Sequence, residues 1–128
     1  MKNILFLLLI PFLSLGQDIE DSYFTGTNRQ DVNSEYPVDI TITKLQKSGV
    51  SGTVNYNSLG CSGKLVFVDK TSDYRYVFVE KLTKGNDVCV GNGLVVLEPI
   101  NDNQFLFYWY YEDGRLGSAT VLNRFSKR

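Results

Sequence analysis

Two cysteines are the residues of this 128-residue chain best suited to covalent chemistry. Cys61 lies in LGCSG and Cys89 in DVCVGNG, and each precedes an apolar run. A cysteine nucleophile normally needs a histidine as its base and a zinc site needs four ligands, but the sequence has no histidine and no CxxC motif. We therefore predict no metal or cofactor and a disulfide between Cys61 and Cys89, with a free reactive thiol as the alternative.

The first residues have the layout of a secretory signal peptide. Lys2 provides a positive start, residues 4–13 are apolar, and Ser14 and Gly16 occupy the −3 and −1 positions of a cleavage site. The apolar stretch is shorter than the roughly 20 residues of a membrane span. We expect residues 1–16 to be removed and the protein to be secreted or periplasmic, with no membrane anchor. Exported proteins fold in oxidising compartments, which supports the disulfide.

The charge of the chain argues against nucleic acid and anionic membranes as partners. The leader contains one of the 13 basic residues, so 12 remain against 14 acidic ones and the net charge is −2. Proteins that bind polyanions usually have a clear excess of basic residues. We therefore expect a monomer whose partner is an envelope protein, a cell-wall fragment or a small molecule, and no nucleic-acid partner.

The rest of the sequence is typical of an all-β protein. Short runs rich in β-branched and aromatic residues alternate with turns rich in Gly, Asn, Asp and Ser. The predicted strands are 38–43, 49–56, 64–70, 74–82, 93–100, 104–112 and 117–125. Seven short strands with tight sequential turns indicate an antiparallel meander.

Two architectures fit a meander of this size: an up-and-down β-barrel of seven or eight strands, and a two-layer β-sandwich. Short sequential connections pair neighbouring strands in order and favour the barrel. We expect a single β domain over residues 36–128. Residues 17–35 are polar and are predicted to form a partly flexible N-terminal arm, part of which Tyr23, Phe24 and Tyr36 would allow to dock as an extra strand.

The run QFLFYWYYE, residues 104–112, has more aromatic residues than a half-buried strand needs. One face, which would fill the core, consists of Phe105, Phe107, Trp109 and Tyr111. The opposite face presents Tyr108 and Tyr110. This second face either packs under the N-terminal arm or belongs to a contact surface, for which tyrosine is well suited. Tyr74 and Tyr76 on another predicted strand would extend such a surface.

Glu80 is an acidic residue on the strand face that it would share with Tyr74 and Tyr76. If that face is directed inward, the carboxylate needs a partner, because an unpaired buried charge is very costly. We expect Arg124 or Arg115 to provide a structural ion pair. The alternatives are an exposed strand end and a ligand-orienting carboxylate in the mouth of a barrel.

Four stretches of the chain match a known type of domain: YPVDITI, GTVNYNSLGCSGKL, YVFVEKLTKGNDVCVGNGLVVL and GSATVLNR, which together cover most of Tyr36 to Arg124. At these residues the chain resembles a small secreted β module of bacterial exported proteins, which also occurs outside the membrane-facing part of some bacterial serine/threonine kinases. The pairing of GCSG with a later CVGNG is its most specific element. The chain departs from the pattern at Asn57, where proline is expected, and at Phe24, where tryptophan is expected. The resemblance implies an exported, disulfide-stapled β fold without catalytic activity.

These observations favour a non-enzymatic exported binding module that uses the aromatic strand face or the loops SLGCSGK and TKGND. A narrower alternative is a protein inhibitor of the lysozyme type, in which Ser62 and Lys64 enter a carboxylate-lined cleft. A small hydrolase is the third alternative, and the absence of histidine and of an identifiable carboxylate pair in the sequence argues against it. The predicted ligand or partner surface comprises Tyr74, Tyr76, Tyr108, Tyr110, Ser62, Lys64 and Glu80.

Overall fold

Eight antiparallel strands form a closed barrel in the computed structural model, which describes residues 19–31 and 34–127. The strands are β1 Ser22–Asp31, β2 Ser34–Ile42, β3 Val50–Tyr56, β4 Cys61–Lys70, β5 Tyr76–Lys84, β6 Leu94–Asn101, β7 Gln104–Tyr110 and β8 Leu116–Lys127. Each strand pairs with the next in sequence, and β1 pairs with β8. The predicted all-β up-and-down barrel is confirmed, and the sandwich alternative does not apply. The predicted signal peptide lies outside the described residues.

The eighth strand comes from the segment that the sequence suggested was an arm. β1 pairs with β2 on one side and with β8 on the other, so it closes the barrel. Its side chains alternate, with Phe24 and Asn28 buried inside and Tyr23 at the surface. The alternative in which this segment covers Tyr108 and Tyr110 is wrong for residues 19–31, because β1 lies in the barrel wall between β2 and β8.

The seam between β1 and β8 depends on a glycine. Gly26 lies in the middle of β1, where a Cβ atom would come within 2.5 Å of the Val121 carbonyl oxygen and 2.8 Å of Leu122 Cδ2. A larger residue would therefore push the two strands apart. Phe24 is the only large apolar residue among the inward positions of β1, which explains why the hydrophobic pattern of this strand is weak.

One end of the lumen, which we call the packed end, is filled with aromatic side chains. The ring centroids of Phe24 and Phe105 are 4.9 Å apart in an edge-to-face arrangement. The guanidinium of Arg124 lies over both rings, at 5.4 Å from Phe24 and 5.0 Å from Phe105. Ile19 and Tyr76 are also buried here. The connections from β2 to β3, from β4 to β5 and from β6 to β7 lie at this end.

The opposite end, which we call the mouth, carries the disulfide and three connections between strands. Turn 57–60, loop 85–93 and turn 111–115 lie here. Cys61 and Cys89 form the predicted disulfide, with 6.5 Å between their Cα atoms, and it ties loop 85–93 to the start of β4. Gly85 passes so close that a Cβ atom would lie 2.7 Å from Cys61 Sγ, and its φ of +84° favours glycine.

The closing role of β1 predicts that Phe24→Ala destabilises the protein strongly. Phe24 is fully buried, and truncating a buried phenylalanine costs about 3–5 kcal/mol. The neighbouring Tyr23→Ala, on the outer face of the same strand, should cost less than about 1 kcal/mol. Urea unfolding of both variants measures the difference. A loss for Phe24→Ala as small as that expected for Tyr23→Ala would contradict the burial of Phe24 in the core.

Removing the disulfide should also destabilise the barrel. The link joins residues 28 positions apart, and closing a loop of that length contributes roughly 3–4 kcal/mol by the loop-closure argument. The double variant Cys61→Ala/Cys89→Ala should lose that amount in urea unfolding and should not respond to a reductant. Wild-type protein treated with reductant is the matched control, and it should unfold like the variant. A reductant-sensitive variant or an unchanged stability would contradict the prediction.

Candidate functional site

A pocket of about 180 Å³ lies at the mouth, inside the ends of the strands. Four aromatic residues from three strands and one adjoining turn line this mouth pocket: Tyr36, Tyr56, Trp109 and Tyr111. Tyr36 and Tyr56 meet edge to face with their centroids 5.9 Å apart, and so do Trp109 and Tyr111 at 4.8 Å. The interplanar angles are 77° and 80°, so each pair forms two perpendicular walls.

Glu80 provides the carboxylate of the mouth pocket. It follows Tyr76 and Phe78 along the inward face of β5, and only 1% of its surface is exposed. The Tyr56 hydroxyl donates a hydrogen bond to Oε2 at 2.5 Å, and the Trp109 indole Nε1 donates to Oε1 at 3.1 Å. Burial raises the pKa of the Glu80 carboxyl above its usual value, while these two hydrogen bonds favour the charged form and act in the opposite direction.

The prediction that an arginine pairs with Glu80 is wrong. Arg124 lies over aromatic rings at the packed end. Arg115 forms an ion pair with Asp113, with 2.8 Å between Nε and Oδ2, and its guanidinium lies 4.5 Å from the Tyr111 ring centroid. The tyrosine and tryptophan donors take the place of the arginine, and they leave each carboxylate oxygen with capacity for a further hydrogen bond.

Two glycines hold Trp109 in place. A Cβ atom at Gly93 would lie 2.4 Å from the Trp109 ring, and one at Gly117 would lie 2.5 Å from it. The indole therefore fills a slot between the start of β6 and the start of β8, where larger side chains would displace it. Gly93 also accepts a hydrogen bond from the Glu80 backbone N–H at 2.9 Å, which fixes the position of the carboxylate relative to the slot.

A buried amide connects the three strands around the seam at the mouth. Asn28 on β1 donates from Nδ2 to the Tyr36 hydroxyl on β2 at 3.1 Å and to Ser118 Oγ on β8 at 2.8 Å. Its Oδ1 accepts a hydrogen bond from the Arg29 backbone N–H. All of these groups except Arg29 line the pocket, so the network sets the orientation of the Tyr36 ring.

The rim of the mouth pocket is apolar and exposed. Leu59 from turn 57–60 and Val88 and Val90 from loop 85–93 are exposed by 37%, 67% and 59%. Cys89 lies between the two valines and lines the pocket, so the disulfide holds this part of the rim over the lumen.

The structure brings three of the predicted site residues to the mouth pocket or beside it: Glu80 and the two disulfide cysteines. Ser62 and Lys64 do not lie in a loop as expected. They are part of β4, where the inward positions belong to Cys61 and Gly63 and the outward ones to Ser62 and Lys64.

The four predicted tyrosines do not form one surface. Tyr76 is enclosed at the packed end with 1% exposure, and Tyr74 lies in the turn before β5 with φ +66°, beside Lys70. Tyr108 and Tyr110 are half-buried on the outer wall of β7, with their ring centroids 6.3 Å apart. The idea that Tyr74 and Tyr76 extend a surface with these two residues is therefore wrong.

Sequence reasoning missed Asn28, Tyr36, Tyr56 and Ser118 as pocket residues. A signal for two of them, Tyr36 and Tyr56, existed. In an up-and-down barrel, the end of one strand and the start of the next lie at the same end, so the inward residues Tyr36, Tyr56 and Trp109 had to approach Glu80. The position of Asn28 had no signal, because the extra strand expected from residues 17–35 had no predicted bounds or inward face.

Within residues 19–31 and 34–127, no cluster of three or more histidine, cysteine or acidic side chains is arranged to hold a metal ion. None of the helical structure in those segments is long and apolar enough to cross a membrane. No protein-family model, curated protein or solved structure matches the chain.

The enclosure of Glu80 predicts a specific dependence of stability on pH. Its pKa is higher in the folded state than its ordinary value of 4.5, so the unfolded chain loses this proton first as pH rises. The folded state therefore loses stability from about pH 4.5 upward until the folded pKa is passed. Glu80→Gln removes this effect. The free energy of unfolding of wild type minus that of the variant should therefore be greater at pH 4 than at pH 8. The expected change is about 1.4 kcal/mol for each unit by which folding raises the pKa of Glu80.

Urea unfolding of both proteins across this pH range gives the measurement. Asp69, Asp73 and Asp113, whose pKa values are lowered, contribute the opposite trend, but they are common to both proteins and cancel in the difference. The pKa values of Tyr36 and Tyr56 are raised, so these groups stay protonated throughout. A difference that is constant with pH, or that increases toward pH 8, would contradict the enclosure of Glu80.

Proposed function

We propose that this protein is a non-enzymatic binding module that takes a small ligand, or the small end group of a larger one, into the mouth pocket. The observation that carries this proposal is the composition of the pocket: aromatic walls around a single buried, hydrogen-bonded carboxylate. Small-molecule sites are typically concave and largely apolar, with a few fixed polar groups. An eight-stranded barrel is wide enough for one small ligand.

The size of the mouth pocket sets the scale of the ligand. A cavity of about 150 Å³ is enough for benzene, and the volume here is about 180 Å³. A group the size of one small ring therefore fits inside, and any larger part of the ligand would lie on the rim formed by Leu59, Val88 and Val90.

The proposal includes export of the protein. A disulfide is the usual state of paired cysteines in secreted or periplasmic proteins and is rare in reducing compartments. The signal-peptide pattern at residues 1–16 and the Cys61–Cys89 link support the same compartment independently.

Two other functions receive less support. An inhibitor that inserts Ser62 and Lys64 into a cleft needs these residues on a projecting loop, but they lie on the wall of β4. Glycoside hydrolysis normally uses two carboxylates, and Glu80 is the only one among the described residues that line the pocket.

Binding in the mouth pocket is tested by titrating 15N-labelled protein with a fragment library of sugars, organic anions, organic cations and neutral aromatic compounds. We expect chemical-shift changes to concentrate at Tyr36, Tyr56, Glu80 and Trp109. Gly117→Ala should weaken binding because its Cβ displaces Trp109. Tyr108→Ala, on the outer wall, should bind normally. Shifts confined to the outer wall, or no binding by any fragment, would overturn the proposal.

A further inference from the structure

The charged residues around the mouth pocket indicate which sign of charge a ligand should carry. Among the described residues that line it, Glu80 is the only acid and no lysine or arginine is present. Arg115, whose guanidinium lies 4.5 Å from the Tyr111 ring centroid, is largely exposed and is paired with Asp113. An enclosed carboxylate without a cationic partner is costly, and a bound cation would lower that cost.

Three side chains of the pocket direct hydrogen-bond donors to other pocket residues. Tyr56 and Trp109 direct their O–H and N–H groups to the two oxygens of Glu80, which suits an ionised carboxylate. Asn28 directs its amide N–H groups to Tyr36 and Ser118. A ligand entering the pocket therefore meets aromatic faces, the Glu80 oxygens and the hydroxyl groups of Tyr36, Tyr111 and Ser118. The enclosed Glu80 carboxylate, with no lysine or arginine among the described lining residues, disfavours an anion by charge repulsion.

The aromatic walls add a second attraction for a cation. The negative faces of tryptophan and tyrosine rings attract ammonium groups, and several rings around one cation form the cages that bind quaternary ammonium ligands. Here the two edge-to-face pairs, Tyr36 with Tyr56 and Trp109 with Tyr111, stand beside the carboxylate.

From these observations we propose that the mouth pocket binds a quaternary ammonium group, such as the trimethylammonium end of a small organic cation. A primary ammonium carries three N–H donors that each need an acceptor. A trimethylammonium group needs none, and its methyl groups suit the aromatic walls and the apolar rim of Leu59, Val88 and Val90. Its volume is also similar to that of the benzene ring that a cavity of this size accepts. This inference rests on the proposed function and names its ligand class.

The test uses choline and its neutral isostere 3,3-dimethyl-1-butanol, in which carbon replaces the charged nitrogen. Trp109 is the only tryptophan of the chain, so its fluorescence reports directly on the pocket. We expect choline to bind at least about tenfold more tightly than the isostere because of its charge. Phosphocholine, titrated in parallel, distinguishes a free choline-type ligand from a phosphocholine head group.

Three variants separate the contribution of the Glu80 carboxylate to choline binding from that of the aromatic walls. Glu80→Gln should weaken choline binding at least about tenfold and leave binding of the isostere unchanged, because only the charged ligand uses the carboxylate. Tyr111→Leu should weaken choline binding roughly fivefold, whereas Tyr111→Phe, which keeps the ring, should not. The Tyr111 pair keeps the test valid if Glu80→Gln fails to fold.

The outcomes distinguish this inference from the function on which it rests. Equal affinities for choline and the isostere would overturn the ammonium proposal and leave a binding pocket for neutral ligands. Binding of other fragments in the pocket without any binding of choline would do the same. Failure of every fragment to bind in the mouth pocket would overturn both proposals.

Discussion

Pairing between β1 and β8 turns a strip of neighbouring strands into a tube, and every other feature of the molecule depends on that closure. A closed sheet has no free edge, and its alternate side chains must fill a lumen of fixed width. At the packed end, phenylalanine and tyrosine rings fill that lumen. At the mouth, the same alternation places Asn28, Tyr36 and Tyr56 around Glu80, and the result is a pocket.

The mouth combines groups that a stability-optimised barrel would replace. An aliphatic residue in place of Glu80 would avoid the cost of enclosing a carboxyl group, whose raised pKa reflects that cost. Instead, Tyr56 and Trp109 solvate the carboxylate, and Gly93 and Gly117 leave room for the indole. Local departures from simple core packing of this kind are expected where a fold carries a binding site.

The sequence predicts the barrel well because the inward residues of β2 to β7 are mostly apolar and turn residues separate the strands. The disulfide is predictable from the cysteine count and the leader. β1 is not, because Gly26 and Asn28 occupy inward positions that usually hold apolar side chains. The partner of Glu80 is also hidden, since Tyr56 and Trp109 lie 24 and 29 residues away in sequence and only the closed sheet brings them together. Tyr74 was assigned to a strand because its left-handed backbone conformation has no clear sequence signal.

The position of the disulfide affects what happens when the backbone is cut. The exposed turn 71–75, at the packed end, lies between Cys61 and Cys89 in sequence. A protease that cleaves this turn would produce two chains that remain covalently joined beside the mouth. After one such cut, the protein would remain a single covalently linked molecule of two chains. The cut would lie at the end of the barrel opposite the pocket.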